Sequence, residues 1–391
     1  MHTILRNKLL VVTYMLTILY ALHYAIPVYA TSSFLHQYFN SAYVSALYVI
    51  ANIAILLASL TITKSIRRFH TYTYTFILVI AEIIATIVFS LTDNLFVISI
   101  FFIIHSVLQA FLYICLNIFI ESFSKHGETG SLCGLFLAIL SAGYLVSPLI
   151  GGMILSHSSF QTLYVIASLT LVPFLYFLHK YLIHIKEPAY SQVDIFGALR
   201  TVFRNKNLKY IFIVDLVVES FYSVMIIYSP IYLATIGVPL TTYLTYILPV
   251  ALIPLVVLPY ELGHLADTRY GKKNILIVGL LIMTVTTFIC VIVTSSSPVL
   301  WATLLLVSRI GTGMVETMAY TYFFKKIGPE DASLTALFMN IRSVSLVIVG
   351  SVGFIFAPFL IERPQTMFIL LGCAILWGIS YALKIQPVHS K

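Results

Sequence analysis

Charged residues are scarce in this 391-residue chain. Only 9% of the residues are Asp, Glu, Lys or Arg, whereas 60% are hydrophobic and the mean hydropathy is +1.01. A soluble domain carries roughly a quarter charged residues, so the composition excludes a soluble globular protein. Most of the chain is therefore expected to lie in lipid.

The chain also lacks the usual motifs of catalysis and metal binding. It has no Gly-rich phosphate loop ending in Lys-Ser or Lys-Thr, no His-Glu-x-x-His zinc pattern and no Gly-x-Ser-x-Gly elbow. Its cysteines stand singly in apolar segments, at Cys115, Cys133, Cys290 and Cys373. Their spacing suits neither a metal site nor a redox pair. We therefore expect no cofactor, no metal, no ATP-driven transport within the chain and no intramembrane enzyme.

Apolar runs of about 20 residues, long enough to cross a hydrocarbon core of roughly 30 Å, recur along the whole chain. Twelve spans are predicted, at residues 9–29, 41–63, 73–92, 95–120, 131–155, 160–182, 209–236, 241–262, 274–294, 298–323, 332–358 and 365–384. The first is longer than the roughly 7–15 residues of a secretory signal core, so it is expected to be retained as a helix. The sequence thus predicts an all-α integral membrane protein.

Lys and Arg are distributed unevenly between the predicted loops. Nineteen of the 22 lie in or beside the alternate loops that include both termini, and only Arg363 lies in the other set. Because positive residues stay on the cytoplasmic side, both termini are predicted to be cytoplasmic in a multi-pass protein of the cell membrane. The net charge of +8 is therefore a topology signal that favours contact with anionic lipid and not with nucleic acid.

The longest polar segment, residues 183–208, divides six spans from six. It predicts an N-terminal bundle at 1–182, a cytoplasmic linker, and a C-terminal bundle at 209–391. Within the linker, apolar residues recur at helical spacing opposite basic ones, which indicates an amphipathic helix on the inner membrane surface. These residues are Ile195, Leu199, Val202 and Phe203.

A repeat supports the division into halves. Five residues reappear 202 positions later, at the start of the fifth and eleventh spans. Glu128, Ser131, Leu132, Leu135 and Phe136 fall on Glu330, Ser333, Leu334, Leu337 and Phe338. The same offset aligns the twelve spans as six plus six, so the sequence predicts a duplicated six-helix unit.

A basic, glycine-flanked loop follows the eighth span. Its characteristic residues are Gly263, Asp267, Arg269, Gly271, Lys272 and Lys273. With six plus six spans, an inside N-terminus and a long central loop, this pattern resembles the major facilitator superfamily. In the family's loop a basic residue directly follows the Asp, whereas here Thr268 intervenes. The resemblance implies two six-helix bundles that rock about a site near the bilayer midplane, a conformational latch in this loop, and a monomer.

Two further patterns are similar to motifs of that family. Gly143, Pro148, Gly151 and Gly152 of the fifth span resemble its antiporter-associated pattern, although small residues also let membrane helices pack closely. Arg309 followed by Gly313 resembles the family's Arg motif, but it lies in the tenth span and not in the fourth. Its usual part in proton coupling is therefore only an expectation here.

The resemblance also implies that spans 1, 4, 7 and 10 line a cavity, and each carries polar residues at helical spacing. The expected substrate-binding residues are Tyr20, His23, Tyr24, His105, Gln109, Tyr113, Asn117, Tyr222 and Tyr320. The proton-coupling candidates are Asp215, Glu219, Arg309 and Glu316. A charge at membrane depth costs several kcal/mol unless it meets water or a partner, which favours a functional cavity. Glu82, in a peripheral span, is expected to pair with a donor.

These patterns predict a secondary active transporter of a small molecule, coupled to protons. Across the twelve predicted spans there are four carboxylates and only two arginines, Arg309 and Arg342, which favours export of an amphipathic or cationic compound by an antiporter. The Tyr, Gln, Asn and His residues also suit hydroxyl-rich solutes, so a proton symporter for a sugar or another polar nutrient is the second candidate. A receptor or scaffold that kept the fold and lost transport is the alternative from another class.

Overall fold

The computed structural model describes residues 2–123, 129–183, 194–265, 271–326 and 332–386. Over these residues the chain is helical and has no strand, and eleven helices are long and apolar enough to cross a membrane. A further apolar helix, Thr366–Ala382, has 17 residues. The predicted all-α membrane fold is therefore confirmed.

Eight helices cover the first six predicted spans. They are α1 (His2–Val28), α2 (Thr31–His36), α3 (Ser41–Phe69), α4 (Thr71–Leu91), α5 (Leu95–Phe123), α6 (Thr129–His157), α7 (Phe160–Leu169) and α8 (Leu171–Leu182). The linker contains α9 (Ile195–Arg204). The predicted repeat residues Glu128 and Glu330 lie outside the described residues.

The remaining helices cover the last six spans. They are α10 (Lys206–Ile227), α11 (Ser229–Thr235), α12 (Leu240–Thr242), a π-helical turn (Tyr243–Ile247), α13 (Leu248–Leu265), α14 (Lys272–Ile292), α15 (Pro298–Lys326), α16 (Ala332–Met339), α17 (Ile341–Ile355), α18 (Ala357–Glu362) and α19 (Thr366–Ala382).

Polar side chains mark where several helices begin. Asn94 and Asn205 each accept hydrogen bonds from the backbone N–H groups two and three positions later, at the starts of α5 and α10. Asp194 Oδ1 accepts the N–H of Gly197 at 2.9 Å, at the start of α9. The first N–H groups of a helix have no partner within it, so these caps define the helix starts.

The chain forms two compact units. Unit 1 contains Met1–Phe34 and Ile50–Tyr190, and unit 2 contains Leu35–Val49 and Ser191–Lys391. Residues 35–49, which the sequence places in the N-terminal bundle, group with unit 2. The reason is a set of contacts within unit 2, where the hydroxyls of Ser45 and Tyr228 hydrogen bond at 2.7 Å.

Inside each unit, two helices each pack against several others. In unit 1, α1 packs against α5, α6, α7 and α8, and α4 packs against α5, α7 and α8. In unit 2, α10 packs against α15, α17 and α19, and α14 packs against α15 and α19. This packing brings α1, α4 and α5 together in unit 1, and α10 and α15 together in unit 2.

Two glycines let α14 and α15 approach until their backbones touch. A Cβ placed on Gly279 would lie 2.7 Å from the carbonyl oxygen of Gly311, and one on Gly311 would lie 2.7 Å from that of Gly279. Both distances are shorter than any ordinary contact. The crossing of these helices therefore requires the absence of a side chain at both positions.

We expect Gly311→Val to lower the unfolding temperature in detergent by several degrees. Overpacking a filled interior costs about 1–3 kcal/mol, and the atom in the way belongs to the backbone. Gly313→Ala on the same helix is the matched control, because its Cβ would meet only Leu255, at 3.5 Å. Equal unfolding temperatures for the two variants would contradict the packing.

Candidate functional site

A group of ionisable side chains lies inside unit 2, where α10 packs against α15. We call it the C-terminal polar cluster: Asp215, Glu219 and Tyr222 of α10 with Arg309 and Glu316 of α15. Residues three or four positions apart share a helix face. The predicted spacing places these residues on one face of each helix, and the packing of α10 against α15 brings the two faces together. The four proton-coupling candidates and one substrate candidate therefore lie in one region.

Tyr222 is held from two sides in this cluster. Its hydroxyl donates a hydrogen bond of 2.6 Å to Glu316 Oε2. The guanidinium carbon of Arg309 lies 4.9 Å from the centre of the Tyr222 ring and 5.2 Å from that of Phe221. Both distances lie in the range of a cation–π interaction. The tyrosine thus links the carboxylate of Glu316 to the cation of Arg309.

Two charged groups of the cluster have buried atoms without partners. Arg309 is only 2% exposed. Among the described residues, neither Arg309 Nη1 nor Glu219 Oε2 has a hydrogen-bond partner. Leaving a buried donor or acceptor unsatisfied costs about 1–3 kcal/mol. The cluster therefore presents one strong donor and one strong acceptor to any molecule that reaches it.

Aromatic side chains of α1, α5 and α6 form a second polar region, in unit 1. We call it the N-terminal tyrosine cluster: Tyr20, Tyr24, Tyr113 and Tyr144. The ring centres of Tyr20 and Tyr24 are 6.2 Å apart, those of Tyr20 and Tyr113 are 6.4 Å apart, and those of Tyr24 and Tyr144 are 5.7 Å apart. The structure adds Tyr144 of the fifth span, whereas the cavity residues predicted from the sequence come only from spans 1, 4, 7 and 10.

Two amide residues border the tyrosine cluster on α5. The Tyr20 hydroxyl donates to the backbone carbonyl of Gln109 at 3.1 Å, and Gln109 is buried. Asn117 donates its amide to the carbonyl of Tyr113, one turn earlier in the same helix. In unit 2, Tyr320 lies edge-on against Phe338, with ring centres 5.2 Å apart. A substrate role for these residues stays a prediction.

Glu82 lies against two histidines in unit 1. Its Oε1 atom is 2.8 Å from His23 Nε2 and 2.6 Å from His105 Nδ1, and all three side chains are buried. We call these residues the His-Glu-His triad. Their ligand atoms all lie within 4.8 Å of one another, which is close enough to hold a metal ion. An isolated acid in an apolar span needs a partner. This rule is the signal in the sequence that could have identified the histidines of spans 1 and 4 as partners of Glu82.

Part of the predicted latch lies in the described residues. Gly263 ends up in α13, whereas Asp267 and Arg269 lie outside the described residues. Gly271 precedes α14 with a φ of 72°, a left-handed conformation that favours glycine. Lys272 is buried, and Lys273 Nζ donates to the carbonyl of Leu383 at 2.6 Å. Lys273 therefore joins the start of α14 to the end of α19.

All four residues of the antiporter-like pattern, Gly143, Pro148, Gly151 and Gly152, lie on α6. A Cβ on Gly143 would lie 2.5 Å from that of Ala21, and one on Gly151 would lie 2.7 Å from the carbonyl oxygen of Ile26. Both neighbours belong to α1. Close packing against α1 is therefore a sufficient reason for glycine at these two positions.

Comparison with known proteins gives a family and a fold. A family model described as Major Facilitator Superfamily matches residues 9–348. A solved structure of a mutant of the nucleoside transporter NupG superposes with a TM-score of 0.76 at 12% identity, covering 96% of this chain and 99% of that one. A second NupG structure gives 0.75 at 12% identity, covering 97% and 98%. Comparison with curated proteins gives no match.

We expect Tyr222→Phe to destabilise the protein by about 1–3 kcal/mol, because it removes the donor that Glu316 accepts from inside unit 2. The measurement is the unfolding temperature in detergent. Tyr176→Phe is the control, because Tyr176 is exposed and its hydroxyl bonds the surface residue Lys180 at 2.8 Å. Exposed pairs contribute only about 0–1 kcal/mol. A larger loss in Tyr176→Phe than in Tyr222→Phe would contradict the assignment.

Proposed function

Because this chain belongs to the Major Facilitator Superfamily, we propose that it is a secondary active transporter that moves a small polar solute with protons by alternating access. The family makes it a multi-pass membrane transporter. Solute class, coupling ion and direction are the parts that we propose here, together with a cell-membrane location and cytoplasmic termini.

The observation that carries the solute proposal is the pair of unpartnered buried atoms in the C-terminal polar cluster. Arg309 Nη1 requires an acceptor and Glu219 Oε2 requires a donor. A solute that carries both donors and acceptors offers a partner to each of these atoms, whereas an apolar cation offers one only to the carboxylate. The cluster therefore favours a solute rich in hydrogen-bonding groups.

Nucleosides are the first class that we propose. They carry hydroxyl and amide donors as well as carbonyl and ring-nitrogen acceptors, and the two similar structures are named as nucleoside transporters. Their aromatic base would stack on tyrosine rings such as those of the N-terminal tyrosine cluster. Sugars share the hydroxyl groups but lack the base, so they provide the comparison.

Proton coupling follows from the charges of the same cluster. Asp215, Glu219 and Glu316 interact electrostatically with one another, and Arg309 and Arg342 are the cations that act on them. Three carboxylates against two guanidiniums leave one surplus negative charge. Binding a proton removes that charge from a region where charge is costly. We propose that this proton is exchanged as access to the cluster switches sides.

Uptake by proton symport is the favoured direction. The glycines that resemble an antiporter pattern are already required for packing α6 against α1, so they add little support for export. Export of an amphipathic or cationic compound is the second candidate. It is favoured by the carboxylate surplus and by the tyrosine cluster, since aromatic faces bind cations with about 0.5–2 kcal/mol.

The latch remains part of the proposal. We propose that Asp267 and the basic residues after it hold the cytoplasmic ends of helices together in one state of the transport cycle. The contact between Lys273 and Leu383 supports this, because it already joins α14 to α19 within unit 2. A positive charge near a helix C-terminus also stabilises that end by about 0.3–1 kcal/mol.

We expect liposomes that contain the protein to accumulate radiolabelled uridine when a proton gradient is imposed, inside alkaline. Unlabelled nucleosides should compete, and glucose should not. If the liposomes instead accumulate an organic cation when the inside is acidic, and show no uridine flux, proton-driven export would replace symport. Background flux for every solute tested, including those that raise the unfolding temperature, would favour a receptor or scaffold.

We expect at least one of Asp215→Asn, Glu219→Gln and Glu316→Gln to abolish gradient-driven accumulation while keeping solute exchange at equal pH. The amide keeps the shape of the side chain and cannot carry the proton. Glu261→Gln, at an exposed carboxylate of α13, is the control. Full accumulation in all three variants would remove proton coupling through this cluster.

A further inference from the structure

The His-Glu-His triad in unit 1 takes no part in the proposed solute site, and its hydrogen-bond geometry is demanding. His23 Nδ1 lies 3.0 Å from the carbonyl oxygen of Ala167. A carbonyl only accepts, so Nδ1 carries a proton, and Nε2 of the neutral ring then points a lone pair at Glu82. Nε2 and Glu82 Oε1 are 2.8 Å apart. A positive species must therefore lie between them, either a proton or a metal ion.

The second oxygen of Glu82 distinguishes these two possibilities. Glu82 is fully buried, and among the described residues its Oε2 atom has no hydrogen-bond partner. A proton shared at Oε1 leaves Oε2 as an unsatisfied acceptor inside an apolar bundle, which is unfavourable. A metal ion, in contrast, can bind both oxygens of one carboxylate. The unpartnered oxygen thus points to a larger cation.

The surrounding groups hold these ligands in place. The Thr86 hydroxyl donates a hydrogen bond to Glu82 Oε1 at 3.3 Å and lies 3.1 Å from His105 Nδ1, so it helps to fix the carboxylate and the imidazole that would hold the ion. Metal-binding histidines usually donate their other N–H to a carbonyl or carboxylate, as His23 does to Ala167. The His105 ring stacks on Phe89, with ring centres 5.8 Å apart. Both imidazoles are therefore held in a fixed orientation.

We propose that His23, Glu82 and His105 form a binding site for a divalent metal ion of the zinc type, which joins α1, α4 and α5 inside unit 1. Two imidazoles and one carboxylate are a ligand set that zinc and similar first-row ions accept. The site is distinct from the C-terminal polar cluster and does not depend on which solute is carried.

Metal binding requires a small rearrangement and has a definite cost. With bonds of about 2.0–2.2 Å, the ligand atoms of a tetrahedral site stand roughly 3.3 Å apart. The histidines must therefore withdraw from Glu82 by about half an ångström, as the metal replaces the protons that lie between Oε1 and the two imidazole nitrogens, His23 Nε2 and His105 Nδ1. The proton of His23 Nε2 leaves to solvent, and that of His105 leaves Nδ1 for solvent or for the other ring nitrogen. One carboxylate also leaves a divalent ion with one net positive charge. Bonds from two imidazole nitrogens and the two oxygens of Glu82 offset that cost.

The test is the metal content of the full-length protein, purified in detergent through a tag that contains no histidine. We expect about one zinc-type ion per chain by mass spectrometry, either as purified or after incubation with Zn²⁺ and removal of the excess. Stripping the metal with a chelator should lower the unfolding temperature by about 5 °C, and adding Zn²⁺ back should restore it. Bound Co²⁺ should show visible absorption typical of mixed nitrogen and oxygen ligands.

Variants locate the bound ion. Glu82→Gln and His23→Gln should each reduce bound metal at least about tenfold, and the exposed His157→Gln should bind as the wild type does. Wild-type protein without bound metal after incubation with Zn²⁺ would overturn the proposal, whether or not the variants fold, and would make the triad a proton-sharing network. Unchanged metal content in both triad variants would also overturn it.

Discussion

The absence of water from the hydrocarbon core is the constraint on which the rest of this structure depends. Every polar group that enters the membrane must find its partner within the protein. Backbone groups satisfy one another in helices, and many hydroxyls bond the carbonyl one turn earlier. Thr17 and Thr284 do so at 2.9 and 2.8 Å. A chain with 9% charged residues can therefore contain many Ser and Thr residues inside its spans, because most of these hydroxyls find an acceptor in their own helix.

Charged side chains meet the same constraint in two different ways. In unit 1, Glu82 is surrounded by His23, His105 and Thr86, which arrange their polar atoms around one carboxylate oxygen. In unit 2, Arg309 and Glu219 keep buried atoms without partners among the described residues. The first arrangement suits a resident cation and the second suits a passing solute. Two clusters of buried ionisable residues therefore support different proposals.

Close helix packing limits what short motifs can say about function. Glycines of α6 resemble a pattern associated with antiporters. At two of these positions, Gly143 and Gly151, α1 lies so close that a Cβ atom would clash with it. Gly279 and Gly311 show the same requirement between α14 and α15 without any functional motif. Packing and function select the same residue type here. Transport direction must therefore be measured by flux.

Features that depend on a short window of residues can be predicted from the amino-acid sequence alone. Span length and apolar content identify the membrane helices. Helical spacing places Asp215 and Glu219 on one face of their helix, and it does the same for Arg309 and Glu316. The superfamily fold followed from these local patterns and the loop at Gly271, and the family comparison confirms it. Asp267 and Arg269 of that loop lie outside the described residues, so their latch role stays a prediction.

Which polar residues contact one another depends on the packing of the helices. His23 and Glu82 are 59 positions apart, and Tyr222 and Glu316 are 94 apart. Periodicity within a helix places a residue on a face but does not state which helix covers that face. The sequence therefore predicts a donor for Glu82 but does not identify it as His23 and His105, which it assigns to the cavity. Their contact depends on how α1, α4 and α5 pack, because helix packing joins residues that the chain keeps far apart.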